Sequence, residues 1–214
     1  MSKLILVLRR LTRTALLRLE HVLTKCCSHD HVVRLNLCSG GQNIPEYTNL
    51  DYGGEAEIKL DLSRSNLPFK DNSIDSVVCM SAINYFSRAR GQEIVAEVYR
   101  VLKPEGIARF GVQDMESIAK RYVEKDEAFF FQKQSDGRDR FEGITLGDKF
   151  ASWFYGYVAV GPCKFFYDYE SLACLFKLEG FSKIARKPYR VSDLDHIEFI
   201  DNRSDQMFFI EATK

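Results

Sequence analysis

The chain is poor in the residues that build metal sites and disulfide frameworks. Four histidines and six cysteines are spread over 214 residues. None of Cys26, Cys27, Cys38, Cys79, Cys163 and Cys174 has a second cysteine at the two-residue gap that lets paired thiolates converge on one zinc. No metal is expected, and the thiols are expected to be reduced, as in a cytoplasmic protein. Long apolar runs are also missing. Leu4 to Leu8 is interrupted at once by Arg9, Arg10 and Arg13, so it reads as neither a membrane span of roughly 18 residues nor a secretory signal. Net charge is absent too. Lys plus Arg and Asp plus Glu both number 30, which removes any whole-chain argument for a nucleic-acid partner.

What is present is an ordinary globular composition, 45% hydrophobic and 28% charged, in a length suited to one domain. The charge is uneven. Residues 1–34 carry seven basic residues against Glu20 and Asp30. Leu4, Leu8, Leu11, Ala15, Leu19, Val22 and Leu23 recur at helical spacing, so an amphipathic helix is expected over residues 3–25 of an N-terminal segment 1–30. Its basic face is either solvated while the other packs on the domain, or lies peripherally on an anionic membrane.

From residue 32 the period changes to that of an α/β domain spanning 31–214. Strands are expected at Val32–Leu37, Thr48–Asp51, Ile58–Leu62, Asp75–Ser81, Ile107–Val112, Phe181–Tyr189 and Gln206–Ala212. Helices are expected at Gly91–Leu102, stopped by Lys103-Pro104-Glu105-Gly106, at Met115–Glu124 capped by Asp114, and at Tyr169–Leu178 capped by Asp168. Residues 126–165 break this rhythm with clustered aromatics, as in a lid or insertion over a pocket, or a helical pair packed on the sheet.

The informative segment is Leu35-Asn36-Leu37-Cys38-Ser39-Gly40-Gly41. A strand ending in a glycine turn brings backbone close to a ligand at the carboxyl edge of the sheet. A dinucleotide would need a third glycine and a helix aimed at its pyrophosphate, but Gln42-Asn43-Ile44-Pro45 follows. S-adenosylmethionine has no phosphate. Its ribose hydroxyls suit a carboxylate after the second strand, and its adenine amine an acceptor after the third. Asp51 and Asp61 stand at those places.

With those residues in view, the sequence resembles the class I S-adenosylmethionine-dependent methyltransferases. The likeness rests on the Asn36–Gly41 turn, Asn49-Leu50-Asp51, Asp61-Leu62, Leu67-Pro68-Phe69-Lys70-Asp71-Asn72-Ser73-Ile74-Asp75, and Arg100-Val101-Leu102-Lys103-Pro104-Glu105-Gly106. The fourth of these is especially similar to the type 11 methyltransferase domain. The resemblance implies a Rossmann-like, mostly parallel seven-stranded sheet whose last strand runs antiparallel. It further implies that Asn36, Cys38, Ser39 and Gly40 line the methionine portion, Asp51 the ribose, and Asp61 with Leu62 the adenine. Met80 and Ser81 would approach from the other side. Asn36 stands where an acid is usual, Cys38 where glycine is usual, and Asn84 and Tyr85 where relatives carry a Glu-His pair.

The activity so implied is methyl transfer to a small molecule or saccharide, the saccharide resting on a likeness to methyltransferases of bacterial surface-polysaccharide synthesis. A general base is required only for an acceptor that arrives protonated. Tyr85 and Asp114 are the candidates, against packing or cofactor lining for Tyr85 and helix capping for Asp114. The departures at Cys38, Asn84 and Tyr85 keep open a non-catalytic member acting as a cofactor-binding or interaction module. Oligomeric state leaves no signal.

Overall fold

The computed structural model describes residues 32–155 and 161–214. The helix expected over residues 3–25 lies outside the described residues. Four strands come first: β1 (Arg34–Leu37), β2 (Tyr47–Asp51), β3 (Ile58–Lys59) and β4 (Ile74–Met80). Helix α1 (Arg88–Val101) leads into β5 (Leu102–Gln113), followed by α2 (Met115–Val123), α3 (Glu127–Phe130), α4 (Leu146–Tyr155) and α5 (Tyr169–Leu178). The chain closes with β6 (Ser182–Lys187), the one-turn α6 (Ile197–Ile200) and β7 (Met207–Thr213). One seven-stranded sheet has the order β3-β2-β1-β4-β5-β7-β6, with β7 antiparallel to both neighbours and the other pairs parallel. The strand order reverses at β1 and β4, the crevice where open α/β sheets bind ligands. This is the Rossmann-like arrangement that the sequence implied.

Successive side chains of a strand point to opposite faces, and β4 and β7 show it directly. Val77, Cys79, Phe208, Ile210 and Ala212 join the larger core with Ile94, Val95 and Val98 of α1 and Leu172, Leu175 and Phe176 of α5. Val78, Met80, Met207 and Phe209 form a second layer with Ile44 and Ile200 on the other face. The two helices with expected caps begin as expected: Asp114 accepts from the Ser117 N–H at 3.2 Å before α2, and Asp168 and Ser171 form a reciprocal capping box before α5. Helix α1 starts at Arg88, three residues before the expected Gly91, because the Ser87 hydroxyl caps it by accepting from the Arg90 N–H at 3.2 Å.

Two of the motifs turn out to be one interaction. Arg100 donates to the carbonyls of Leu67 (3.0 Å) and Phe69 (2.8 Å) and pairs with Asp71 at 2.7 Å, while Glu97 accepts from the Leu67 N–H at 2.9 Å. The end of α1 thereby clamps the Leu-Pro-Phe stretch that precedes β4. Lys103-Pro104-Glu105-Gly106 does end the helix, but as an outward bulge at the start of β5. Ile74 pairs with Leu102, whereas Ser76 already pairs with Ile107. A Cβ at Gly106 would lie 2.8 Å from the Lys103 carbonyl, so the corner requires glycine.

β3 is shorter than expected because Asp61 turns the chain. Its backbone carbonyl accepts from the N–H groups of Arg64 and Ser65 at 3.1 and 3.0 Å. Residues 126–165 hold α3 and α4, whose Phe129, Phe130 and Trp153 pack with Phe141 and Ile118 of α2 in a separate core. No helix among the described residues is long and apolar enough to cross a membrane.

Candidate functional site

A cavity of about 620 Å³ opens at the carboxyl ends of β1 to β4, within the roughly 300–1,000 Å³ usual for small-ligand sites. Cys38, Ser39, Gly40, Asp51, Asp61, Leu62, Met80, Ser81 and Tyr85 all line it. The topology explains why residues so spread in sequence meet. Each follows a parallel strand, and parallel strands deliver their carboxyl ends to one edge.

The floor is the turn after β1. Gly40 has φ of +63° and Cys38 has φ of +53°, so both occupy the left-handed region in which glycine is the cheap residue. That conformation accounts for the usual preference for glycine at the position Cys38 fills. Burial pushes the Cys38 thiol well above its ordinary pKa, and Cys79, Asp51 and Asp61 push it further the same way. The thiol is therefore held neutral and poorly nucleophilic.

Asp51 ties this turn to the end of β2. One carboxylate oxygen accepts from the Gly40 N–H and the other from the Gly53 N–H, both at 2.9 Å. Each carboxylate oxygen has two acceptor directions, so the group is oriented by backbone and still able to accept from a ligand hydroxyl. Asp61 is oriented in a similar way by the N–H and hydroxyl of Ser63, at 2.9 and 2.6 Å. The Ser63 hydroxyl bond is the main reason its carboxyl lies below the ordinary carboxylate range. Leu60, Leu62, Met80, Ala82 and Phe86 supply apolar walls. Two oriented carboxylates facing apolar surface fit a ligand that offers vicinal hydroxyls, an amine and a flat ring.

Two of the expected site residues lie elsewhere. Asn36 is buried below the turn, its amide donating to the Gln42 carbonyl at 2.8 Å and to the Asn49 Oδ1 at 2.9 Å. A carboxylate could make neither bond, which explains the neutral residue at this position. Asp114 is 5% exposed and does not line the cavity. It accepts from the Ser117 N–H at 3.2 Å as the cap of α2 and from Arg186 at 2.6 Å.

Other lining residues are absent from the sequence reading. Tyr52, 78% exposed, stands on the rim. Lys164 arrives from the end of the 126–165 segment, and Asn202 and Arg203 from the connection before β7. Gln42 ties that connection to the turn, donating to the Phe199 and Ile200 carbonyls and accepting from the Asn202 amide at 2.6 Å. Arg203 donates to the Ser81 hydroxyl at 3.0 Å. Only a strand-end pattern marks a site in sequence, and Lys164, Asn202 and Arg203 follow no strand.

A family model described as a methyltransferase domain, of type 11, matches residues 38–110. No curated protein sequence matches the chain. Among solved structures, the chain is similar to an S-adenosylmethionine-dependent methyltransferase from Thermotoga maritima, with 19% identity and TM-score 0.49, covering 92% of this chain and 89% of that one. It is also similar to one from Mesorhizobium loti, with 14% identity and TM-score 0.48, covering 94% and 98%. A third, from Methanosarcina mazei, has 16% identity and TM-score 0.48, covering 92% and 96%. The matched segment runs from the floor of the cavity into β5, and over that segment the chain is similar to a methyltransferase domain.

Proposed function

We propose that the enzyme transfers the methyl group of S-adenosylmethionine to a small-molecule or saccharide acceptor. The observation that carries this reading is the junction of Asp51, Gly40 and Asp61 at successive strand ends of one cavity. In this reading Asp51 accepts from the ribose hydroxyls, Asp61 with Leu62 receives the adenine, and the turn of Cys38, Ser39 and Gly40 faces the methionine portion. Bound there, the cofactor supplies an electrophilic methyl group on a cationic sulfonium. The chain's own task is then to place the acceptor in line with it and keep water out, and positioning of this kind supplies much of the rate.

Tyr85 is the candidate group on the acceptor side, because it lines the cavity beyond β4. Asp114 is assigned a capping role, since its carboxylate is already committed to the α2 N-terminus and Arg186. A cavity of this size suits an acceptor of low molecular weight or the end of a glycan. Release of S-adenosylhomocysteine in the presence of small alcohols, phenols, amines and sugars tests the reading. Acceptor-dependent release is expected, with kcat lowered in Tyr85→Phe where the acceptor arrives protonated. Cofactor binding without acceptor-dependent release from any of these classes would overturn it.

A further inference from the structure

The charges that line the cavity are sorted by side. Both carboxylates, Asp51 and Asp61, belong to the ends of β2 and β3, and turn N–H groups orient both. Both cations, Lys164 and Arg203, stand beside β4. Arg203 is fixed there by its bond to the hydroxyl of Ser81, the residue that follows β4. Lys164 is fixed through its backbone. Its N–H donates to the Asn84 carbonyl at 2.8 Å, the Phe165 N–H donates to the same carbonyl at 3.2 Å, and the Asn84 amide reaches the Cys163 Sγ at 2.7 Å. Asn84 is 0% exposed, so three bonds from one buried residue hold Lys164 at the cavity next to Tyr85.

The strand order sets the distance between the two charge groups. From β4 to β2 is two strand spacings and from β4 to β3 is three, or roughly 10 and 14 Å. Separations of that size are at or beyond a Debye length of about 8–10 Å at moderate ionic strength. The carboxylates therefore do little to neutralise Lys164 across the cavity. A ligand whose hydroxyls and ring engage the β2–β3 side leaves the β4 side to its co-substrate.

We infer that the methyl acceptor is an anion, a small molecule bearing a carboxylate or phosphate that Lys164, supported by the charge of Arg203, holds beside Tyr85. The inference rests on the reading of the cavity given above. It adds that acceptor affinity and cofactor affinity depend on different charges, Lys164 for one and Asp51 for the other.

Calorimetry on protein saturated with S-adenosylhomocysteine tests it, using benzoate and phenyl phosphate as anionic probes and benzamide as the neutral match. The expected result is binding of both anions, with benzamide weaker by about tenfold or more, as for loss of one charge-assisted hydrogen bond. Lys164→Met should weaken both anions by a similar factor, Lys164→Arg should retain most of the affinity, and S-adenosylhomocysteine should bind each variant as it binds the wild type. Absence of anion binding, equal affinity for benzamide, or anion binding indifferent to Lys164→Met would overturn the inference. So would a Lys164→Met variant that loses S-adenosylhomocysteine instead, because the ammonium would then serve the cofactor's own carboxylate. Failure of wild-type protein to bind S-adenosylhomocysteine is separate. It would sink the reading of the cavity before any anion is added.

Discussion

The two sides of the cavity are built in different ways. On the β2–β3 side the polar groups are set by neighbours in sequence. Asp61 bonds to Ser63, two residues on, and Asp51 to Gly53 and Gly40, two and eleven residues away. On the β4 side the groups are set by remote segments. Lys164 is held to Asn84, Arg203 to Ser81 across 122 residues, and Asn202 to Gln42 across 160. A local turn forms its site as it folds, whereas the far wall exists only when the sheet is complete. The β2–β3 side should therefore survive perturbations that dissolve the β4 side.

The largest expected effect comes from the buried anchor of that far wall. Arg109 and Asp201 have fully buried side chains. They are joined at 2.8 and 2.5 Å, and Arg109 also reaches Glu211 at 2.7 Å. Asp201 directly precedes Asn202 and Arg203. Arg109→Met leaves a buried carboxylate without its partner and should cost about 3–5 kcal/mol, read from denaturant unfolding. An unchanged midpoint would break the claim that this pair holds the connection. Gln42→Ala comes next. It removes the side chain that joins the floor to residues 199–202, and should cost about 1 kcal/mol by leaving the half-buried Asn202 amide without its acceptor.

The same contrast explains what could be read in the sequence. Asp51, Gly40 and Asp61 were legible because each closes or shortly follows a strand whose apolar residues mark it in the sequence. The capped helices after Asp114 and Asp168 were legible in outline for a similar local reason, as was the α/β order of elements. Lys164, Asn202 and Arg203 were not, because irregular connections placed by long-range bonds carry no period. The aromatic run over 126–165 signalled packing but not its partner. Phe129, Phe130 and Trp153 pack against Ile118 of α2, and within the segment's described part only Lys164 reaches the cavity.

Smaller effects sharpen the local side. Cys38 carries a left-handed φ of +53°, which costs a non-glycine residue about 1–2 kcal/mol, against an entropic cost of about 0.5–1 kcal/mol for glycine. Cys38→Gly should therefore be more stable than Cys38→Ala by about 0.5–1 kcal/mol. Both variants lose the thiol, so thermal or denaturant unfolding of the pair isolates the backbone strain.

The smallest effect is one of pH. Asp61 titrates below the ordinary carboxylate range in the folded protein because Ser63 donates to it. A depressed folded-state value means that the bond stabilises fully above the unfolded value of about 3.9 and is lost as pH falls through the folded one. The stability gap between wild type and Ser63→Ala should be constant from about pH 8 to 5 and should close below about pH 4. A gap that persists in acid would assign it to packing.

The most direct test of the central claim is calorimetric titration of S-adenosylhomocysteine into folded wild type and Asp51→Ala. Asp51 is set by two backbone N–H groups and in this account accepts from the ligand's ribose. Loss of a charge-assisted bond of about 1.5–3 kcal/mol predicts an affinity about 10- to 150-fold weaker. An Asp51→Ala variant that stays folded and binds S-adenosylhomocysteine as tightly as the wild type, or a wild type that does not bind it, would contradict the account.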